Sequence, residues 1–435
     1  MENSRARSRR GPGFLPEIAD EPGQDDQARP TAPGGRGARR APSSWQFVLA
    51  FGIVSMLVDF VYEGGRSVVG PLLAHLGASG AVVGLVTGAG EAAALALRLV
   101  SGPLADRTRG FWSWTIAGYA VTVAAVPLLG LTGVLGAAGA LVIAERVGKA
   151  VRSPAKDTLL SHATADIGRG RGFAVHEAMD QVGAILGPLA VAGVLAVTDD
   201  GYGPALGMLA VPGVLALFLL LRLRARVPDP GVYETPETPG TAEARLPWAF
   251  WGYAGFAAVT LTGFATFGLL SYHLVEHSLL PAAAVPVVYA AAMTADAVAA
   301  LASGWLYDRL GSRTVAVLPL LSAVVPVLAF GGSTWFAVLG ALAWGAGAGI
   351  QESTLRAAVA ELAPARRRAT AYGLFAGVAG LGTFAGGALT GVLYDRSSPV
   401  LAVSVAVIQA VALAVLLASR RFRGKRRFRY AVGRR

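Results

Sequence analysis

One six-residue phrase occurs twice in this chain, and each copy closes a long apolar stretch. The copies are Gly102-Pro-Leu-Ala-Asp106-Arg107 and Gly304-Trp-Leu-Tyr-Asp308-Arg309, about 200 positions apart. Another apolar stretch follows each copy almost at once. Matching hinges at matching places predict an internal duplication, which in an apolar chain of 435 residues indicates a transporter built from two membrane-spanning halves.

The composition indicates hydrocarbon as the surrounding solvent. Hydrophobic residues make up 54% of the chain and charged residues 15%, against roughly 25% charged residues in soluble domains. Helices satisfy their own backbone polar groups in lipid, and the 56 glycines suit close packing between such helices. The chain has no Cys, which excludes a disulfide and a thiolate zinc site.

A membrane-spanning helix needs roughly 20 apolar residues, and the chain offers a series of such stretches. We therefore predict an all-α integral membrane protein with twelve transmembrane helices in two pseudo-symmetric six-helix halves. The predicted spans are 45–74, 79–105, 111–131, 134–158, 169–197, 203–223, 247–274, 281–307, 313–331, 334–361, 368–394 and 399–419.

Polar segments divide the chain into five predicted parts. They are a disordered cytoplasmic tail (1–44), an N-terminal six-helix half (45–225), a cytoplasmic linker (226–245), a C-terminal six-helix half (246–419) and a basic cytoplasmic tail (420–435). The two halves are called the first half and the second half below.

The basic residues predict an orientation. If the N-terminus is cytoplasmic, the tail carries eight Arg and the inside loops many more, whereas the outside loops carry only Arg396. This asymmetry predicts a multi-pass protein of the inner (plasma) membrane with both termini in the cytoplasm. The net charge of +11 is then explained by basic residues that face anionic lipid headgroups. We therefore expect the lipid bilayer as a partner and no nucleic acid.

The two hinge phrases are predicted gating loops. Asp106 ends a helix at the cytoplasmic face, where Arg107 meets anionic headgroups. An Asp there can bond the free N–H groups of a helix start or pair with an Arg, and so latch one conformation. The alternative is a positive-inside turn without a mechanistic role. The candidate gating residues are Gly102, Asp106, Arg107, Gly304, Asp308 and Arg309.

A third near-copy of the phrase, Gly391-Val-Leu-Tyr-Asp395-Arg396, ends the eleventh span at the opposite face of the membrane. Its position is not equivalent to that of the other two copies. We therefore expect a local likeness without a hinge role.

Ionisable residues of the first span share one helical face. Asp59, Glu63 and Arg66 follow at i, i+4 and i+7, and each charge at bilayer depth costs roughly 2.5–3.5 kcal/mol. Glu63 and Arg66 can pair, which leaves Asp59 freer to carry a proton in a low-dielectric cavity. The alternative is a wholly paired structural triad.

The fourth span carries a stripe of cations. Arg146, Lys149, Arg152 and Lys156 lie within about 120° of one another around the helix axis. The stripe is either an anion-attracting wall or relay, or an ion-pair network with Glu145 and acids of other spans. Pro154 is expected to end or kink this helix.

Further charges lie in other spans. In the fifth span, His176 and Asp180 at i, i+4 can titrate, or can pair with the cationic stripe. Glu91 and Arg98 share a face of the second span, and Glu352 and Arg356 are at i, i+4 in the tenth. Asp296 is alone in the eighth span and is expected to face a cavity. The proton-coupling candidates are Asp59, Glu63, His176, Asp180 and Glu352.

One apparent metal motif lies at the outer end of the seventh span. His273-Leu-Val-Glu276-His277 matches the inverted zinc-peptidase pattern. Its place at the end of a membrane helix favours a solvated helix end, so we expect no metal and no enzyme; an intramembrane metallohydrolase is the remote alternative. The chain also lacks a phosphate-binding Gly-x-x-x-x-Gly-Lys-Ser/Thr loop, so no ATP-driven engine and no cofactor are expected.

The hinge phrases resemble the signature loop of the major facilitator superfamily. The fourth-span run Glu145-Arg146-Val-Gly148-Lys149-Ala-Val-Arg152-Ser-Pro154 resembles a motif of one bacterial subgroup, as does the start of the fifth span. Gly183, Gly187 and Pro188 partly resemble an antiporter motif, but Ala190 and Val191 replace its closing glycines. The resemblance covers about 45–420 and implies two halves that rock around a central cavity.

Together these features predict a monomeric secondary transporter for a small-molecule substrate, driven by an ion gradient. Proton-coupled efflux of a small organic molecule is the first expectation. Uptake or export of an anionic metabolite or metal chelate is the second, because the fourth-span stripe is cationic. A transport-inactive membrane sensor or scaffold is an alternative of another class.

Overall fold

The computed structural model describes residues 43–163, 169–228, 246–363 and 368–432, and throughout these ranges the regular elements are helices. Most of the predicted tail 1–44 and most of the linker 226–245 lie outside the described residues. For some helical positions only the backbone is described; these include Asp106, Arg171, Arg356 and the residues from Ser419 onward.

Sixteen α-helices follow one another through the described ranges. They are α1 (Ser44–Ser67), α2 (Val69–His75), α3 (Gly80–Thr108), α4 (Phe111–Leu131), α5 (Leu135–Ala163), α6 (Arg169–Val197), α7 (Tyr202–Gly207), α8 (Ala210–Arg226), α9 (Trp248–Thr262), α10 (Phe267–Glu276), α11 (Val285–Leu310), α12 (Val317–Ala329), α13 (Thr334–Ile350), α14 (Arg356–Leu362), α15 (Arg368–Arg396) and α16 (Ser398–Val432).

The helices confirm the all-α membrane fold, and each predicted span corresponds to one helix or to two or three consecutive ones. Among the described residues, nine helical stretches are long and apolar enough to cross a membrane. The other three predicted spans do not form a helix that is both long and apolar enough, each for a different reason. Helix α5 carries the cationic stripe, the apolar helix Arg313–Ala329 is short, and a π-helical turn at Gln351–Leu355 separates α13 from α14.

The bundle has two ends. The hinge end is where α3 and α11 finish, at Thr108 and Leu310, with the two hinge phrases. The far end is where α3 begins at Gly80 and α15 finishes at Arg396. Between the halves, α3 packs on α15, α6 on α11, and α2 on α10.

Glycines bring the backbones of α1 and α6 into direct contact. A Cβ added at Gly183 would meet the carbonyl of Met56, and one added at Gly187 would meet the carbonyl of Phe60. Membrane helices approach this closely where small residues line the interface. The two glycines of the antiporter-like stretch therefore have a packing role, which places the polar start of α6 beside the charged face of α1.

Candidate functional site

Charged side chains of four helices in the first half form one buried or half-buried cluster, which we call the charged network. Pairing is expected here, since an ionisable group held away from water is costly without a partner. The members are Asp59, Glu63 and Arg66 of α1, Glu91 of α3, Glu145, Arg146, Lys149, Arg152 and Lys156 of α5, and His176 and Asp180 of α6.

Asp59 lies beside a cation, as in the paired one of its two predicted arrangements. Its Oδ1 lies 3.6 Å from Nη2 of Arg152, a side chain that is only 4% exposed. Arg152 also donates a hydrogen bond of 2.9 Å to Oγ1 of Thr122, and its Cζ lies 4.8 Å from the ring centre of Tyr119. Asp59 thus neutralises a cation from the neighbouring helix.

Glu91 bridges two arginines. Its Oε1 accepts a 3.0 Å hydrogen bond from Nη2 of Arg66 and lies 3.4 Å from Nη2 of Arg146. Arg66 also lies 3.6 Å from Glu63, as its spacing predicts, and Arg146 lies 3.6 Å from Glu145. The first-span triad is therefore paired, and its pairs extend into α3 and α5.

The remaining cations of α5 are also accompanied. Nζ of Lys149 lies 4.0 Å from the ring centre of Tyr62, a cation–π contact. Nζ of Lys156 lies 3.2 Å from Oδ2 of Asp180, and Nδ1 of His176 lies 3.3 Å from the same oxygen. Three cations of the stripe thus lie beside acids of other helices, as the predicted ion-pair network requires, and Lys149 lies over a ring.

Pro154 does not end the helix that carries this stripe. Helix α5 runs unbroken over Leu135–Ala163 with Pro154 inside it. Lys156, two residues beyond the proline, therefore stays on the same helix as Arg146 and reaches Asp180.

The charged network reaches the second half through α1. The carboxylate of Glu63 accepts a short hydrogen bond from the hydroxyl of Tyr289 on α11. The guanidinium carbon of Arg66 lies 5.9 Å from the ring centre of Trp344 on α13. One turn of α1 therefore carries an acidic residue, Glu63, and a basic residue, Arg66, and both contact the second half.

The acids of the second half face the same interface. Asp296 on α11 is 7% exposed and lies within electrostatic range of Glu352 and of Glu63, Arg66 and Glu177 of the first half. Glu352 belongs to the π-helical turn, so the α-helical spacing that predicts its pairing with Arg356 does not apply. Such turns are rare and often lie at functional sites.

The candidate gating residues at the hinge end are mostly exposed. The guanidinium of Arg309 stacks on Trp305 at 3.7 Å, while Arg107 and Asp308 are exposed to the surroundings. Gly102 faces Pro154 and Gly304 faces Ser353. Asp308 has no hydrogen bond or ion pair with a described residue, and the Asp106 side chain lies outside the described part. The predicted latch at this end stays a prediction.

The predicted solvated helix end holds for Glu276 and His277, which are exposed, but not for His273. His273 is 1% exposed; its Nδ1 lies 2.8 Å from the Tyr394 hydroxyl and its Nε2 lies 3.1 Å from the Gly331 carbonyl. Nδ1 of His277 lies 3.2 Å from the same hydroxyl. In the described ranges, no group of three or more His, Asp or Glu side chains is placed to hold a metal ion.

Sequence reasoning missed the aromatic residues of the site. Tyr62, Tyr119, Tyr289 and Trp344 contact the charges listed above but read as ordinary apolar residues of their spans. The available signal is that a buried tyrosine hydroxyl nearly always finds a polar partner. That rule predicts that a partner exists but does not say which residue it is.

Arg98, another candidate of the predicted cavity or ion-pair network, is half-buried on α3.

Comparisons with known proteins agree on the family. A family model described as the Major Facilitator Superfamily matches residues 51–279 and 264–432. The uncharacterized protein Rv2265 of Mycobacterium tuberculosis (strain ATCC 25618 / H37Rv) is 61% identical over 387 residues, which cover 88% of this chain and 95% of that protein.

Two solved structures share the fold at low identity. A POT family transporter in complex with 5-aminolevulinic acid has a TM-score of 0.68 and 13% identity, and the match covers 87% of this chain and 96% of the other. A bacterial homolog of the human lysosomal transporter Spinster has a TM-score of 0.63 and 17% identity, with 87% and 97% covered.

Proposed function

The chain belongs to the Major Facilitator Superfamily, and from that premise we propose that it exports a small organic molecule in exchange for protons by alternating access. Membership establishes a multi-pass membrane transporter. Efflux, proton coupling and the class of solute belong to the proposal. So do the single-chain working unit and the placement of both termini in the cytoplasm at the inner membrane.

The hydrogen bond between Glu63 and Tyr289 carries the proposal. It joins the two halves at the level of the charged network, and a carboxylate accepts it. As a carboxylate, Glu63 also attracts Arg66. A proton on Glu63 removes the negative charge, so Arg66 would keep only Glu91 as its near acid and the contact between the halves would weaken. Protonation would thereby be linked to separation of the halves.

The charges at the interface favour a neutral or cationic solute. The cations of α5 each have a carboxylate or ring beside them, so they offer little attraction to an anion. In contrast, Asp296 of the second half and Glu177 of the first half lie within electrostatic range of each other where the halves meet. The alternative of an anionic metabolite or metal chelate, which the cationic stripe suggests, loses its main support.

The test is transport by purified protein in sealed vesicles with an imposed pH gradient. Ethidium serves as the organic cation and carboxyfluorescein as the organic anion, and an internal dye reports proton movement. We expect gradient-dependent movement of ethidium with opposite proton flux, and at least about a tenfold loss in Glu63→Gln because the titratable charge is gone.

The matched control is Glu276→Gln, an exposed acid at the far end. Ethidium movement that does not depend on the pH gradient, or that is unchanged in Glu63→Gln, would contradict the proposed proton coupling. Gradient-driven movement of carboxyfluorescein alone would establish the anionic alternative. No movement of either probe, together with no thermal shift across a metabolite panel, would favour the sensor or scaffold.

A further inference from the structure

The third copy of the hinge phrase makes the contact that we predicted for the other two. Asp395, its acidic residue, lies in the last turn of α15 at the far end of the second half. Oδ2 of Asp395 accepts a 2.9 Å hydrogen bond from the backbone N–H of Ala81 in the first half, 314 positions away. The equivalent Asp308 has no such bond among the described residues.

The donor is one that its own helix cannot satisfy. Ala81 is the second residue of α3, and the first N–H groups of a helix lack a carbonyl partner within the helix. The helix N-terminus also carries partial positive charge, which favours a carboxylate there. Ser79 caps the next free donor, the N–H of Val82. Asp395 thus supplies from α15 a second acceptor at the start of α3, beside Ser79.

Glycines allow the two helices to meet backbone to backbone at this end. A Cβ added at Gly80 would meet the side chains of Tyr394 and Asp395, and one at Gly84 would meet the carbonyl of Gly387. A Cβ at Gly391 would meet the carbonyl of Gly80. Any larger residue at these points would push Asp395 away from the start of α3.

Tyr394 holds the end of α15 in place from the other side. Its hydroxyl lies 2.8 Å from Nδ1 of His273 and 3.2 Å from Nδ1 of His277, both in the seventh-span region. Its ring packs edge-on against Phe330. The residue before Asp395 is therefore anchored within the second half, which fixes where the carboxylate points.

We propose that the Gly391–Arg396 phrase is a latch between the halves: Asp395 caps α3 across the interface, and this cap must break for the far end to open. Asp395 is a positioning residue of the transport cycle, since it acts through the orientation of the two halves. The inference rests on the alternating access proposed above, but it concerns the closed far end alone.

The test measures the distance between the halves at the far end, without transport. The chain has no Cys, so single spin labels can be placed at Val134→Cys in the first half and Trp335→Cys in the second. These side chains are 65% and 80% exposed. Pulsed spin-resonance distances are recorded for the full chain in lipid nanodiscs with Asp395 intact, with Asp395→Ala and with Asp395→Asn.

We expect a longer-distance population to rise about fivefold in Asp395→Ala, the effect of losing one charge-assisted hydrogen bond. Asp395→Asn should lie between Asp395→Ala and the intact chain, because Asn still caps a helix but lacks the charge. The control Asp199→Asn changes an exposed acid in another far-end loop, at a positive φ of 47° that Asn tolerates, and should leave the distances unchanged.

A second variant attacks the bond from the other side. Ala81→Pro removes the donor N–H at a first-turn position that tolerates proline. It should raise the longer-distance population like Asp395→Ala, and the double variant should add nothing further. Unchanged distances in Ala81→Pro, or additive effects in the double variant, would overturn the latch. The distances can be measured even if the protein transports neither ethidium nor carboxyfluorescein. Failure of the proposed transport function and failure of the latch are therefore distinguishable.

Discussion

Glu63 on α1 and Tyr289 on α11 are joined by a hydrogen bond although they are 226 positions apart in the chain. The bond lies between the predicted halves, and both partners are buried. Removing the Tyr289 hydroxyl leaves Glu63 with Arg66 as its near partner, so the loss is that of one hydrogen bond to a charged group.

Tyr289→Phe should therefore lower the free energy of unfolding by about 1.5–3 kcal/mol, the range for a hydrogen bond to a charged group. It should also reduce gradient-driven ethidium movement, because Glu63 loses its link to the second half. Thermal unfolding in detergent and vesicle transport give the two readouts. Tyr202→Phe is the matched control, since the Tyr202 ring packs on His75. Equal behaviour of the two variants would contradict the role of this bond.

Arg152 should be more important for stability than the exposed basic residues. Arg152→Met leaves Asp59 without its near cation and breaks the bond to Thr122. Breaking a buried pair from one side costs about 3–5 kcal/mol, and because Asp59 is partly exposed we expect the lower end of that range. Arg107→Met, at an exposed position, should change stability by less than about 0.5 kcal/mol.

Asp59→Asn combined with Arg152→Met should recover part of the loss, since neither charge then remains unpaired. Thermal unfolding of the four proteins forms a double-variant cycle. Additive effects would mean that the 3.6 Å approach of Asp59 and Arg152 contributes no coupling.

Gly183→Ala should destabilise the fold by about 1–3 kcal/mol, because the added Cβ meets the backbone carbonyl of Met56, which cannot rotate away. Gly193→Ala, further along the same helix, is the matched control. Nothing lies within 4 Å of a Cβ at Gly193, so this change should be neutral or slightly stabilising through helix propensity. Matching melting temperatures in the two variants would contradict the close approach of α1 and α6.

Asp296→Asn should reduce ethidium movement by about tenfold with little change in the melting temperature. The substitution removes one of two acids, Asp296 and Glu177, that lie within electrostatic range of each other, so attraction for a cation falls while repulsion between the two acids is relieved. Asp199→Asn serves as the control at an exposed position. Unchanged ethidium transport by Asp296→Asn would mean that Asp296 does not contribute to solute recognition.

The predicted orientation can be tested with the Cys-free chain as background. Arg107→Cys at the hinge end should react with a membrane-impermeant maleimide only when the cytoplasmic face is exposed, as in inverted vesicles. Val134→Cys at the far end should react in intact cells. The reverse pattern would invert the topology that the Lys and Arg distribution predicts.

The membrane fold could be predicted because it depends on long-range averages. Apolar length and the duplicated phrase are properties of whole segments, and the loss of any single residue changes neither. The twelve spans were harder to delimit where polar residues interrupt them. Charges interrupt α5. The residues Gln351–Leu355 form a π-helical turn, and no residue type in that stretch predicts this departure from α-helical geometry.

The site could be predicted in part. Residue spacing identified the charged faces of α1, α5 and α6, because spacing fixes which side chains share a helix face. Partners on other helices depend on packing, so spacing gave Glu63 with Arg66 but not Asp59 with Arg152. The third hinge phrase was set aside because its position differs from that of the others, yet Asp395 bonds Ala81 across the bundle.

The arrangement of charges around α5 has a consequence for how the protein is made. Helix α5 is too polar to count among the nine apolar stretches, and three of its cations, Arg146, Arg152 and Lys156, lie beside acids of α3, α1 and α6. Two of these helices leave the ribosome before it, and α6 leaves after it. Lys156 therefore enters the bilayer ahead of Asp180, so stable insertion of α5 has to await the helix that is synthesised next.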